Sequence, residues 1–355
     1  MPLVSVILPS YNHADYISET IESVLNQTFK DLELIIIDDC SPDNSREIIE
    51  NYGKKDDRVR ILFHDVNKGI ALTQNEAIER AKGKYIAFLN SDDVWEKTKL
   101  EKQVKILEKD ENLIVWTDVF LIDNKSKVYG KRWTKSIINI KTNGDLLEKL
   151  LQDPYLLFSS LILKKENLGN LRFNSKFRYI SDYEFEVSLA EKYKFHIIKD
   201  PLTKYRMHNK NALKIDNIRL LRENLLMRIY FLDKYGNQVP KKLKWYLIFR
   251  VIKAYLILGM NKNARYYVMR LFRLYPFNLL NYMCLAQSLI KRDRIINGIR
   301  SVLYTENMSN NFRQSSIWNN FLFRFFTNLY IKYILEKKFY IVAFPPFFLK
   351  ELHLK

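Results

Sequence analysis

Short apolar runs at residues 4–8, 34–37, 59–63 and 85–89 are separated by stretches whose apolar residues recur at helical spacing. Each run is the length of a buried strand, and each ends abruptly in polar residues. Between them, Ile17, Ile21, Val24 and Leu25 lie on one face of a helix predicted over 15–26. Further helices are predicted from Asn44 or Ser45 to Tyr52, over 70–81 and over 96–107. Strands of about five residues alternating with helices of about ten imply an α/β fold with a mostly parallel sheet and right-handed crossovers.

In such sheets ligands bind beyond the carboxyl ends of the strands. Four polar clusters follow those ends: Ser10-Tyr11-Asn12, Asp38-Asp39-Cys40-Ser41, Asn67-Lys68-Gly69 and Asn90-Ser91-Asp92-Asp93. Turn formation accounts for each cluster singly, but it requires no acidic residue after both the second and the fourth strand. Asp92 and Asp93 repel each other unless a cation or a donor-rich ligand lies between them. Asp93 has a second reading, as cap of the helix over 96–107. The early strands end without Gly-x-Gly-x-x-Gly or a phosphate loop, so neither dinucleotide binding of the usual kind nor a phosphate loop is supported, and any nucleotide is held differently.

A chain of 355 residues exceeds the usual single core, and its charge divides it. Residues 1–200 hold 30 Lys and Arg against 33 Asp and Glu, whereas 201–355 hold 28 against 7, which places the whole +18 excess in the C-terminal part. The predicted boundary follows 210, with a catalytic domain over 1–210 and a basic, aromatic-rich helical region over 211–355. Cys40 and Cys284 are far apart and lack metal-ligand spacing, which favours a reducing compartment. The start lacks a basic n-region, and no apolar window reaches about 18 residues, so the expected location is cytoplasmic, extending to the inner membrane face.

The motifs Val-Ser-Val-Ile-Leu-Pro-Ser-Tyr-Asn (4–12), Ser-Val-Leu-Asn-Gln-Thr (23–28), Asp-Asp-Cys-Ser-Pro-Asp-Asn-Ser (38–45), Asn-Lys-Gly (67–69) and Phe-Leu-Asn-Ser-Asp-Asp (88–93) together resemble the family 2 glycosyltransferases over about residues 3–210. The resemblance implies a GT-A nucleotide-sugar-binding domain. It implies nucleotide contacts at Pro9, Tyr11, Asp39, Asn67 and Gly69, with Tyr11 stacking on the base and Asp39 accepting a base N–H, as suits a UDP-sugar. It further implies Asp92 beside the ribose and Asp93 on a divalent metal, Mn²⁺ or Mg²⁺. Where the family often has Asp, this chain has Asn90.

Glycosyl transfer needs a base for the attacking hydroxyl, and the resemblance points to Asp182 in Ser181-Asp182-Tyr183-Glu184, whose other reading is a helix N-cap. Glu184 and Glu186 are weaker candidates. Tyr205-Arg206-Met207-His208 matches a Tyr-Arg-x-His pattern, which implies phosphate binding by Arg206 and metal ligation or diphosphate donation by His208. The expected activity is metal-dependent, inverting transfer from a nucleotide sugar to a glycan or lipid-linked acceptor in cell-surface polysaccharide synthesis. The alternative is a non-catalytic protein binding nucleotide sugar or a membrane surface. The Lys-rich segment 122–141 is a candidate acceptor-facing loop. The helical C-terminal part, with an apolar stripe from Trp318 to Ile334 and a broken apolar stretch over 339–349, suits an anionic membrane surface better than nucleic acid, which is not an expected partner. A structural lid or dimerisation unit is the other reading of that region.

Overall fold

A computed structural model describes residues 1–131, 146–154, 156–208 and 217–289. They fall into two compact units, Met1–Val239 and Pro240–Lys355. The first unit runs past 210 because helix α7 (Asn217–Tyr235) belongs to it. There Glu223 accepts the backbone N–H groups of Arg178 and Tyr179 at 2.9 and 2.8 Å.

The apolar runs are the strands β1 (Val4–Ser10), β2 (Leu32–Asp38), β3 (Val59–Phe63) and β4 (Tyr85–Phe88), which pair in parallel in the order β3-β2-β1-β4. Residues of β1, β2 and β4 are buried throughout, as strands covered on both faces must be. Helices α1 (Ile17–Leu25), α2 (Ser45–Gly53) and α3 (Ile70–Arg80) link these strands. Ile17, Ile21, Val24 and Ile49 join Val6, Leu8, Leu34 and Ile36 in one core.

The sheet then becomes mixed. After the two-residue β5 (Val94–Trp95) come α4 (Lys99–Leu107), β6 (Leu113–Ile122), β7 (Val128–Lys131), α5 (Leu147–Gln152), β8 (Ile162–Lys164), α6 (Ser181–Ala190) and β9 (Lys194–Arg206). β8 is antiparallel to β4 and β6, β9 runs parallel to β6, and β5 is antiparallel to β9. The expected parallel arrangement thus holds for the first four strands, and antiparallel pairing enters where the chain returns to β4.

The register between β5 and β9 places Val94 opposite Lys204, two residues from Arg206. This pairing carries the Tyr-Arg-x-His segment to the Asn-Ser-Asp-Asp turn, more than a hundred residues away in sequence. Helix α4 begins at Lys99 behind Thr98, so Asp93 does not cap it. Asp182 is likewise not an N-cap, because α6 begins at Ser181 behind Ile180.

Among the described residues no helix is long and apolar enough to cross a membrane. Both cysteines are free. Of the segment 122–141 only the part through β7 is described, and the apolar stripes beyond 289 also lie outside the described residues.

Candidate active site

The strand ends carry unusual backbone. Asn12 and Cys40, just beyond β1 and β2, have φ of 57° and 62°, a left-handed conformation that non-glycine residues rarely adopt. The sharp turn after β1 leaves Tyr11 46% exposed, although Pro9 is buried in the strand. Tyr11 is therefore open to a stacking partner, while Pro9 shapes the turn from within.

Asp39 organises the next part of the edge. Its Oδ1 accepts from the Lys68 N–H at 2.8 Å and lies 2.7 Å from His64 Nδ1, and its Oδ2 accepts from the Gly69 N–H at 2.7 Å. The Asn67 amide donates to the Asp39 carbonyl at 3.0 Å. Gly69 has φ 87° and ψ 154°, a conformation essentially confined to glycine, which explains why the motif ends in that residue. A carboxylate offers about four lone-pair positions. Three are occupied by the loop and His64, and one on Oδ2 remains for a further donor.

His64 also reaches Glu76 Oε2 at 3.0 Å. Burial pushes the Glu76 carboxyl up, but bonds from Arg80, His64 and Lys68 outweigh it and hold it at about 2. His64 thus joins two carboxylates beneath the loop, a role that its position at the end of β3 did not announce.

At the end of β4 the two adjacent aspartates separate. Asp93 is fully buried, with Oδ2 accepting from the Ser159 hydroxyl and Oδ1 accepting from the Arg206 backbone N–H at 3.1 Å. Burial and the neighbouring Asp92 charge push its carboxyl well up, against those two hydrogen bonds. Asp92 faces the other way, and its Oδ2 lies 3.0 Å from His208 Nε2. Burial would raise Asp92 as well, but the His208 hydrogen bond and the charges of His13 and His208 prevail, and its carboxyl is lowered.

His13 completes the cluster. Ligand atoms of His13, Asp92 and His208 all lie within 4.8 Å of one another, and His13 Nδ1 stands 2.7 Å from the Ser91 hydroxyl. Two atoms bound to one ion at about 2.1 Å can be no more than about 4.2 Å apart, so a small closing of this triangle accommodates a cation. Two imidazoles and a carboxylate also suit Mn²⁺ better than Mg²⁺, which prefers oxygen. Among the described residues His13, Asp92 and His208 form a group that could hold a metal ion, and it includes the expected His208 but not Asp93. The Asp93 carboxylate is engaged instead by the Ser159 hydroxyl and the Arg206 backbone N–H.

Arg206 is held from several sides. Its side chain is buried and donates to the Asp92 carbonyl (2.8 Å), the Asp123 carbonyl (3.2 Å), the Ser126 hydroxyl (2.8 Å) and Glu19 Oε2 (2.6 Å). Four bonds within the fold, with the Tyr16 ring 4.9 Å away, make it a brace behind the Asn90–Asp93 turn.

Asp182 lies in the first turn of α6, where its Oδ1 accepts the Tyr183 N–H at 2.8 Å. Burial pushes its carboxyl up to about 6 against that bond and its own backbone N–H. Phe185, one turn on, stacks on Phe173 at 4.0 Å and meets Phe88 at the end of β4 and Phe158 beside Ser159. This aromatic cluster ties α6 to the end of β4. Glu184 and Glu186 are buried on the same helix, and Glu184 accepts from Ser188.

Comparison with known proteins agrees with this architecture. The sequence model of the family described as Glycosyl transferase family 2 matches residues 5–169. TuaG of Bacillus subtilis, a glycosyltransferase provisionally assigned by name to teichuronic acid biosynthesis, is 52% identical over 106 residues, which span 30% of this chain and 42% of that one. An uncharacterized glycosyltransferase of Methanocaldococcus jannaschii is 34% identical over 59% of this chain and 72% of its own length. Among solved structures, S. aureus TarS 1–349 in complex with UDP-GlcNAc has a TM-score of 0.62 at 16% identity, covering 85% of this chain and 92% of that one. The mannosyltransferase PcManGT of Pyrobaculum calidifontis, in complex with GDP-Man and Mn²⁺, has a TM-score of 0.55 at 16% identity, covering 86% and 88%. The fold is of the GT-A type, followed by a helical C-terminal region.

Proposed function

The chain belongs to glycosyl transferase family 2, and on that premise we propose that it transfers a sugar with inversion from a UDP-sugar to a hydroxyl of a glycan or lipid-linked acceptor in cell-surface polysaccharide synthesis. The single observation that carries the reading is the convergence of His13, Asp92 and His208 at the carboxyl edge of a parallel sheet. The UDP donor is supported by the acceptor position left on Asp39, which matches an imide N–H, and by the UDP-GlcNAc bound in the TarS neighbour. The acceptor class is supported by the assignment of the Bacillus relative.

The residues divide the work. Tyr11 stacks on the base, Asp39 and the Asn67–Gly69 loop hold its edge, and His13, Asp92 and His208 would hold a divalent cation. When bound, that cation supplies Lewis-acid stabilisation of the diphosphate leaving group. Asp182 accepts the proton of the acceptor hydroxyl as its oxygen bonds to the anomeric carbon and the bond to the diphosphate breaks. A carboxylate titrating near 6 is largely ionised at neutral pH and still basic enough for the transfer. With one base and no covalent intermediate, the displacement inverts the anomeric centre.

The test is a donor screen with the full chain and Mn²⁺, reading nucleotide release with and without lipid-extract acceptors. Release from a UDP-sugar that chelator suppresses and acceptor stimulates is the expected result. Release from purine-nucleotide sugars alone would overturn the donor assignment, and chelator-resistant transfer would overturn the metal role.

A further inference from the structure

The second compact unit holds a feature that glycosyl transfer does not use. Its described helices are α8 (Lys241–Ile257), α9 (Asn261–Leu274) and α10 (Leu279–Leu289). α9 buries Ala264, Tyr267, Val268 and Leu271, and Arg265 donates to the Ser288 carbonyl at 3.0 Å. Asn281 is fixed by the Trp245 indole N–H at 3.0 Å. The inner faces of these helices are thus committed.

The outer face of α9 has a different composition. Lys262, Tyr266, Met269 and Arg273 are all exposed, and their spacing of four, three and four residues places them in one narrow stripe. Tyr266 is 64% and Met269 55% exposed, and Phe277, in the turn that follows, is 94% exposed. Cations at both ends of an apolar centre form an amphipathic stripe facing water.

The surrounding charge selects the partner. Between Asp233 and Asp293 the chain carries 12 Lys and Arg and no acidic residue. A second copy of this face would oppose like charges. The chain's own residues 291–355, with 11 Lys and Arg against 4 Asp and Glu, are no better complement. An anionic partner is required, and Met269 and Phe277 gain by entering hydrocarbon, which a nucleic acid does not provide. We propose that the α9 stripe of Lys262, Tyr266, Met269 and Arg273, with Phe277, docks on an anionic lipid bilayer. Cations near the surface attract the headgroups, and the apolar centre enters the interface.

The test is co-sedimentation of the full chain with phosphatidylcholine vesicles, with and without phosphatidylglycerol. Binding to the anionic vesicles alone is expected, weakening as salt shortens the Debye length. The double substitution Lys262→Glu and Arg273→Glu should weaken it by about tenfold or more. Met269→Ser with Phe277→Ser should also weaken it without lowering the thermal midpoint, because both residues are exposed. Equal binding to neutral vesicles, no binding at low salt, or binding indifferent to both double variants would overturn the proposal. So would stronger binding to single-stranded RNA than to vesicles at the same salt. Nucleotide release measured without vesicles reads the catalytic proposal separately, so failure of one is distinguishable from failure of the other.

Discussion

Asp92 and Asp93 are adjacent, yet their carboxyl groups leave the chain in opposite directions, one to His208 and the other to Ser159 and the Arg206 amide. The first carboxyl is lowered and the second raised. The Asp92 charge helps to raise Asp93, so the pair repels, and each carboxyl is held by donors of its own.

Arg206 braces that turn from behind. Removing it leaves the Asp92 and Asp123 carbonyls without their donor and opens a cavity, so Arg206→Met should destabilise the protein by about 2–4 kcal/mol. Equilibrium denaturation with urea measures this directly. A loss of donor affinity at unchanged stability would instead restore a phosphate-binding role.

Asp182 carries the pH dependence. Its carboxyl is raised to about 6, and the base must be ionised, so transfer should rise with pH through about 6 and then level off. Asp182→Asn should lower kcat by about 10²–10⁴ and abolish that rise while leaving donor affinity intact. A variant retaining both the rate and the pH profile would move the base elsewhere, with Glu184 next to be tested.

Much of the fold was legible in the chain because buried parallel strands read as apolar runs and their polar ends mark the ligand edge. Val4–Ser10 and Tyr85–Phe88 needed no partner to be recognised. That Asp92 meets His208 while Asp93 meets Ser159 was not legible, since Ser159 lies in a short helical turn far along the chain. The neighbours of Arg206 were not legible for the same reason. A Tyr-Arg-x-His pattern advertises a charge, but Glu19, Ser126 and Tyr16 become its neighbours only when β5 pairs with β9. His13 directly follows the Tyr11-Asn12 motif, and that proximity was the one available signal.

The loop after β3 should be sensitive to backbone freedom. Gly69→Ala forces a side chain into φ 87°, ψ 154° at a cost of about 1–3 kcal/mol, which should appear as a higher donor KM with kcat little changed. His64→Leu, which removes the link between Asp39 and Glu76, should act in the same direction. Kinetics with varied donor at saturating acceptor separate the two parameters. An effect on kcat alone would place the loop in the chemical step rather than in binding.

The central claim, that Asp92 rather than Asp93 holds the metal, is tested most directly by Mn²⁺ titration followed by electron paramagnetic resonance in the wild type, Asp92→Asn and Asp93→Asn. Loss of a charged ligand should weaken Mn²⁺ binding by about tenfold or more in Asp92→Asn, while Asp93→Asn, at a side chain engaged by Ser159 and the Arg206 amide, should bind nearly as the wild type does. The reverse order would contradict the assignment.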